Sequence, residues 1–384
     1  MFKFLPYILK NLNGHRVRTL MTVGGTAILM LLFSFVSSIQ EGLAQLTDPS
    51  KQDDRLIVFQ AYRFCPSVSQ LPYPAYEELI QKTPGVKTVL PIKVVVNNCR
   101  ASLDTVVFHG VPPERLREVR ELTFLEGGWE AFIGRRDGGA IVGRKIAERR
   151  GIVVDKPFTI AGVTVNVEGI FASAEPAEEN LIYTHLPFLL NQTPGHHQDL
   201  YVTMYEVHAT DPARAEAVAK DIDAQIRDKY LVHTETRPRK AYYRHAIADL
   251  VELIGFTRWL GLVCVGVVAV LVANSVIMAA QDRVKEHAVL QTIGYSGRRI
   301  FALMLAESVL VSVVGGLLGI LGCQLWLSVS PMTVATEGVS IDFLASPALA
   351  AWGLALSTLV GVVAGLVPAW QAGRADIVSS LRQA

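Results

Sequence analysis

Gln281–Arg299 reads QDRVKEHAVLQTIGYSGRR, a short charged stretch wedged between two long apolar runs. Arg283, Lys285, Glu286 and His287 crowd its first turns, and Arg298 and Arg299 close it. Charges at this density cannot sit in hydrocarbon, where each costs about 2.5 kcal/mol or more. The stretch therefore lies on a membrane face, and its basic excess makes that face the cytoplasmic one. Locally it predicts a helix from Arg283 to Thr292, stopped at Gly294 by IGYSG.

Working outward, four runs can cross a bilayer: Thr19–Ser38, Trp259–Ala280, Ile300–Ser330 and Phe343–Gly373. A crossing needs about 20 apolar residues. Thr19–Ser38 carries no Asp, Glu, Lys or Arg. A signal peptide is its rival reading because basic residues precede it, but the run exceeds a usual h-region. The first 18 residues hold Lys3, Lys10, Arg16 and Arg18 and no acid, with Phe4, Leu5, Ile8, Leu9 and Leu12 on an apolar face. Pro331–Asp342 has no Lys or Arg, and the tail adds Arg374 and Arg382. Four spans with both termini inside satisfy all of these biases.

The expected fold is an α-helical membrane protein: four transmembrane helices plus an α+β extracytoplasmic domain inserted between helices 1 and 2. The order is an entry helix at 1–18, a first span at 19–40, the inserted domain at 41–245 and a second span at 246–280. A cytoplasmic loop at 281–299, a third span at 300–330, a short external loop at 331–342, a fourth span at 343–373 and a tail at 374–384 follow. Strand-like runs fall at Arg55–Gln60, Val86–Val96, Thr105–His109, Ala140–Val142, Phe158–Ile160 and Val163–Phe171. Helical patterns fall at Tyr73–Lys82, Pro113–Leu122, Arg144–Arg150 and Ala213–Lys229, the last behind a capping Asp211 and Pro212. Mixed elements in this order predict an α+β domain, with strand pairing open.

The composition is 51% hydrophobic and 18% charged over 384 residues, with a net charge of +1. No basic, aromatic-interleaved patch points to nucleic acid. The 4 cysteines, Cys65, Cys99, Cys264 and Cys323, form neither a disulfide framework nor a zinc cluster. No Gly-x-x-x-x-Gly-Lys-Ser/Thr phosphate loop exists, so the chain is expected to bind no nucleotide and to be no enzyme itself.

Several separated patches resemble the FtsX-like, MacB-like permeases of ABC transporters. VKEHAVLQTIGYSGRRI resembles the family's loop pattern at Glu286, Leu290, Ile293 and Gly294, with His287 and Gln291 where Ile and Arg are usual. LAESVLVSVVGGLLGILG resembles its glutamate and Gly-Gly-x-x-Gly helix, and GLVPAWQAGRADIVSSLR its ending. LEGGW, AIVGRKIAERRG and VTVNVEGIF resemble the MacB-like periplasmic core domain, with Asp155-Lys156 where Gly-Asp is usual, and NLNGHRVRTLMTVGGTAI resembles the entry helix. The resemblance implies a permease subunit of the inner membrane that works with a separate ABC ATPase, as a homodimer or pseudo-symmetric heterodimer. ATP and Mg would bind the partner alone. Arg283, Lys285, Glu286, Leu290, Ile293, Gly294 and Arg298 would then form the coupling helix on the ATPase. Expected cargo is a lipid, lipoprotein or other amphipathic envelope molecule, with membrane lipids and a periplasmic adaptor as further partners. The alternatives are a transmembrane relay that activates a periplasmic enzyme, and a membrane-anchored sensor or enzyme.

Other residues carry competing readings. Glu307 is either a coupling carboxylate or one close enough to the interface to stay wet. Gly315, Gly316 and Gly319, like Gly361 and Gly365, have small-xxx-small spacing and are expected to pack within one subunit rather than form a dimer face. Asn274 could hydrogen-bond across helices. Cys65 and Cys99 are a possible disulfide on the oxidising side, worth roughly 3 kcal/mol if formed, or two buried thiols. His196, His197, Asp199 and His208 match no zinc pattern and read as loop.

Overall fold

The computed structural model describes residues 16–47, 54–63, 69–97, 105–192, 200–282, 291–292, 295–330, 332–336 and 339–374. Among the described residues, four helices are long and apolar enough to cross a membrane: α1 (Arg16–Thr47), and later in the chain three more described below. Between the first and second of these lies a domain built on one 10-stranded sheet.

In chain order the domain contains β1 (Arg55–Gln60), β2 (Leu71–Pro72), α2 (Ala75–Gln81), β3 (Val86–Val96), β4 (Val107–Val111), α3 (Pro113–Val119), β5 (Leu122–Gly127), α4 (Trp129–Gly134), β6 (Gly139–Gly143), α5 (Arg144–Arg150), β7 (Pro157–Ile160) and β8 (Val163–Ser173). A 3-10 turn at Glu178–Asn180 leads to β9 (Leu181–His185), α6 (Leu186–Gln192), β10 (Tyr201–Val202), β11 (Met204–Ala209), α7 (Ala215–Lys229), β12 (Thr234–Pro238) and α8 (Arg239–Ala246). The sheet order is β12-β1-β11-β3-β4-β9-β6-β8-β5, with β7 also on β8. Pairing is antiparallel except for β4 with β9 and β6 with β8.

β3 is buried on both faces over Val89–Ile92: Val89 packs into one apolar cluster, and Leu90, Ile92 and Val94, two apart, pack into another on the opposite face. α7 lays Ala215, Val218, Ala219, Ile222 and Ile226 on β1 and β11, an i, i+3, i+4 stripe that buries one face. The Asp211 carboxylate accepts from the Ala213 N–H at 2.9 Å, but it caps a 3-10 turn at Pro212–Arg214 before the α-helix begins. The helix at Pro113 stops at Val119, not at Leu122, because Leu122 opens β5. β1, which follows α1 in sequence, and β12, which precedes the second long helix, are neighbours, with Leu56 opposite Pro238 and Gln60 opposite Thr234.

The remaining long helices are α9 (Ala248–Asp282), α10 (Gly297–Val329) and α11 (Pro347–Arg374). Whereas α11 begins at Pro347, inside the expected Phe343–Gly373, two clearly overrun the apolar runs Thr19–Ser38 and Trp259–Ala280: α1 has 32 residues and α9 has 35. At 1.5 Å per residue these are about 48 and 52 Å long, against about 30 Å of hydrocarbon. Their common core includes Val272, Val276, Met304, Val360 and Ala369. The stretch expected as a plain external loop at 331–342 instead carries a hairpin, β13 (Thr333–Thr336) on β14 (Val339–Asp342), and it clusters with the sheet domain as one compact unit.

Candidate functional site

Within the helical unit, small residues let backbones meet. A Cβ on Gly315 would overlap the Thr26 hydroxyl of α1 and reach the Val23 carbonyl at 3.0 Å. Gly319 likewise lies against the Ala27 carbonyl and the Leu31 N–H, while Gly316 lies against Ser357 of α11. Gly361 and Gly365 face Ser312 and Ser308 of α10. Two hydroxyls lock the same seam: Ser308 Oγ donates to the Gly361 carbonyl at 2.7 Å, and Ser357 Oγ to the Ser312 carbonyl at 2.5 Å. All five glycines thus pack inside a single chain.

Glu307 sits on α10 at 5% exposure. It borders a cavity of about 20 Å³ shared with Thr19, Thr22, Ser275 and Val311. Thr22 Oγ1 donates to Ser275 Oγ at 3.0 Å, so α1 and α9 are bridged beside the carboxylate. A cavity of this size holds about one water molecule, and its lining is polar enough to keep one. Asn274, by contrast, is exposed on the single chain.

Of the residues expected to contact an ATPase, Arg283, Lys285, Glu286, Leu290, Ile293 and Gly294 lie outside the described residues. Arg298 is described and exposed at the start of α10. Beside it Gly297 abuts Gly373 at the end of α11, so the two helix ends share one face. Arg299 lies 5.7 Å over the Tyr295 ring and Arg374 lies 4.2 Å over the Trp370 ring. This end therefore gathers three guanidinium groups, two of them held by aromatic faces. Cys65, Cys99, His196, His197 and Asp199 also lie outside the described residues. His208 belongs to β11: its Nε2 lies 3.0 Å from Glu206 Oε1 and its Nδ1 lies 3.4 Å from Asp54 Oδ2.

The sheet domain holds an ionic network that the sequence reading missed. Arg120, at the end of α3, has a side chain only 7% exposed. Its Nη2 meets Glu206 Oε2 at 2.7 Å and its Nε meets Glu178 Oε1 at 2.6 Å. Burial alone would raise the Glu206 carboxyl, but Arg120 and the His208 hydrogen bond hold it well below the usual carboxylate range. Burial prevails at Glu178 and raises it despite Arg120. Glu175 again feels burial first, yet Arg239 and Arg55 outweigh it and lower its pKa. His109 of β4 is buried, its Nε2 has no hydrogen-bond partner among the described residues, and burial pushes its pKa down to about 4. Beyond the network, Lys145 Nζ binds Asp342 Oδ2 at 2.6 Å and Asn180 Nδ2 donates to Asp342 Oδ1 at 2.9 Å.

An inserted α+β domain, four helices long and apolar enough to span a membrane, and a basic end defined by Arg298, Arg299 and Arg374 define the class as a membrane protein with one large inserted domain. Residues 19–225 match the model of the MacB-like periplasmic core domain, more than half of the chain, and residues 259–377 match the FtsX-like permease C-terminal model. The chain belongs to the MacB-like, FtsX-like permease family.

Among curated relatives, the macrolide export ATP-binding/permease protein MacB of Bordetella avium (strain 197N) is 28% identical over 228 residues, 59% of this chain and 33% of that protein. The pyoverdine export ATP-binding/permease protein PvdT of Pseudomonas fluorescens (strain Pf0-1) is 24% identical over 322 residues, 78% of this chain and 46% of that one. The chain thus spans less than half the length of these relatives. The crystal structure of the periplasmic region of MacB from Actinobacillus actinomycetemcomitans is similar at 11% identity and a TM-score of 0.39, over 54% of this chain and 98% of that one.

Proposed function

We propose that this chain is the permease subunit of an ABC transporter, driven by ATP hydrolysis on a separate ATPase subunit and working beside a second permease copy or homologue. Both termini and the 281–299 loop face the cytoplasm, and the sheet domain faces the other side. The chain itself hydrolyses nothing, and ATP with Mg stays on the partner. The cargo is a lipid, lipoprotein or other amphipathic molecule of the envelope, exported or extracted as the sheet domain moves.

One observation carries the reading. The two helices that flank the inserted domain, α1 and α9, continue unbroken well past the length a bilayer requires. A continuous helix resists bending far better than a loop, so displacement at its cytoplasmic end reaches the inserted domain. The basic end with Arg298 and Arg374 supplies the surface on which an ATPase docks, as charge complementarity steers and orients such contacts. The relatives' names join ATP binding and permease in one protein, which supports an ATP-driven permease.

The test is association. The chain with Glu286→Lys, or with Arg298→Glu, is co-purified with the ATP-binding subunit and scored by pull-down. At least a tenfold loss of bound ATPase is expected for either variant. Unchanged binding in both overturns the docking assignment.

A further inference from the structure

We propose that Ser173–Asn180, read SAEPAEEN, is the joint that fastens three separate chain connections from the membrane spans to the sheet domain, so that they move as one body. The inference rests on the force-transmitting role proposed above and adds where the force enters.

The first connection is β1, reached from α1. Arg55 opens β1, and its Nη2 meets Glu175 Oε1 at 2.5 Å. The second connection leads to α9 through α8. Arg239 opens α8, and its Nη1 meets Glu175 Oε2 at 2.5 Å while its Nη2 donates to Oε1 at 3.3 Å. Arg55 adjoins the Leu56–Pro238 pair of β1 and β12, and Arg239 follows Pro238 directly. One carboxylate therefore staples the closed end of the two strands through which the chain enters and leaves the domain. Three residues on, Glu178 binds Arg120 and adds a longer contact of 3.8 Å to Arg55.

The third connection is the hairpin between α10 and α11. Its last residue, Asp342, takes Asn180 Nδ2 on one oxygen and Lys145 Nζ on the other. Lys145 Nζ also donates to the Pro176 carbonyl at 3.2 Å, and Arg144 binds Glu179 at 3.0 Å. The Asp342 carbonyl presses on Gly42 of α1 so closely that a Cβ there has no room. Eight residues thus hold β1, α8 and the hairpin at once.

The chemistry suits a rigid joint. Glu179, Asp342 and Lys145 have side chains 3%, 10% and 17% exposed. Charges this withdrawn from water lose far more when a partner leaves than surface pairs do, so the contacts at Asp342 favour one arrangement, while Glu175, 34% exposed, holds by taking both Arg55 and Arg239. A flexible polar tether needs no such pairing. The hairpin is then an input as well as the two long helices, and a displacement of α10 and α11 reaches the sheet domain through Asp342.

The experiment uses the full chain with its ATP-binding subunit in nanodiscs, native cysteines replaced, and spin labels at Lys220→Cys on α7 and Leu325→Cys on α10, both exposed. The inter-label distance distribution is compared with and without trapped ATP. The unmodified joint is expected to give a clear nucleotide-dependent shift. Asp342→Asn and Glu175→Gln, which keep shape and remove charge, are expected to lose at least half of that shift while ATPase turnover stays within twofold. Asp342→Glu keeps a carboxylate for Lys145 and Asn180 and is expected to retain the shift, which also serves if a neutral variant fails to fold. A full shift in both neutral variants, or none in a folded Asp342→Glu, overturns the joint alone. No shift with the joint intact overturns the force-transmitting function together with it.

Discussion

At the scale of single residues, the network around Arg120 separates what looks exposed from what is buried. β11 reads Met-Tyr-Glu-Val-His-Ala, and its Glu206 and His208 look like a solvent-facing alternation. All six residues are buried, because Arg120 and the His208 ring satisfy the carboxylate inside. Nothing local marks this strand, since its polar partner Arg120 lies 86 residues away. His109 gives the sharpest measurable consequence. Its folded pKa of about 4 lies below the ordinary 6.5, so between these values the unfolded chain binds more protons than the folded one. The stability it confers is present above about pH 6.5 and is lost as pH falls toward 4, with a ceiling of about 3 kcal/mol. The lowered Glu175 and Glu206 lose stability in the same direction further down, while the raised Glu178 acts in the opposite sense. Thermal melts of the sheet domain at pH 7 and pH 5 are expected to differ by several degrees, and His109→Leu to flatten that difference. An unchanged slope in the variant refutes the assignment to His109.

At the scale of elements, the glycines of α10 were readable because small-xxx-small spacing has one main physical use, close helix approach. Which helix they approach was not readable. Gly315 and Gly319 serve α1, whereas Gly316, one residue on from Gly315, turns to α11. Gly315→Val therefore forces α10 off α1, where the Val23 carbonyl belongs to a helix backbone and cannot yield. Overpacking of this kind costs about 1–3 kcal/mol or more. The detergent-purified variant is expected to melt lower and to express at under half the wild-type level. Gly322→Val is the control, since a Cβ there meets only the Leu31 side chain at 3.8 Å. Equal melting of the two variants removes the claim. Strands with a dense β-branched and apolar run, such as β1 and β3, begin and end where that run does. β9, β11 and β12, whose short runs mix polar and apolar residues, escaped, as did the edge strand β5 and the hairpin β13–β14.

At the scale of the whole molecule, the charge bias of the loops predicts orientation, and impermeant thiol labelling in intact cells checks it. Lys220→Cys on α7 is expected to react from outside, and Lys285→Cys only after permeabilisation. The reverse pattern overturns the orientation and the docking face with it. The sequence by itself determined the four spans and the inserted α+β domain, and its charge bias predicts the face on which Gln281–Arg299 lies. Those features follow from hydrocarbon thickness, residue periodicity and the cost of charge in lipid, all of which act along a contiguous stretch. Only the tertiary structure decided the sheet order, the burial of Glu206 and the gathering of Arg55, Arg239 and Asp342 on Ser173–Asn180. Those depend on pairing between residues more than a hundred positions apart in several cases, where short-range sequence pattern carries no physical signal and desolvated charge selects the partner.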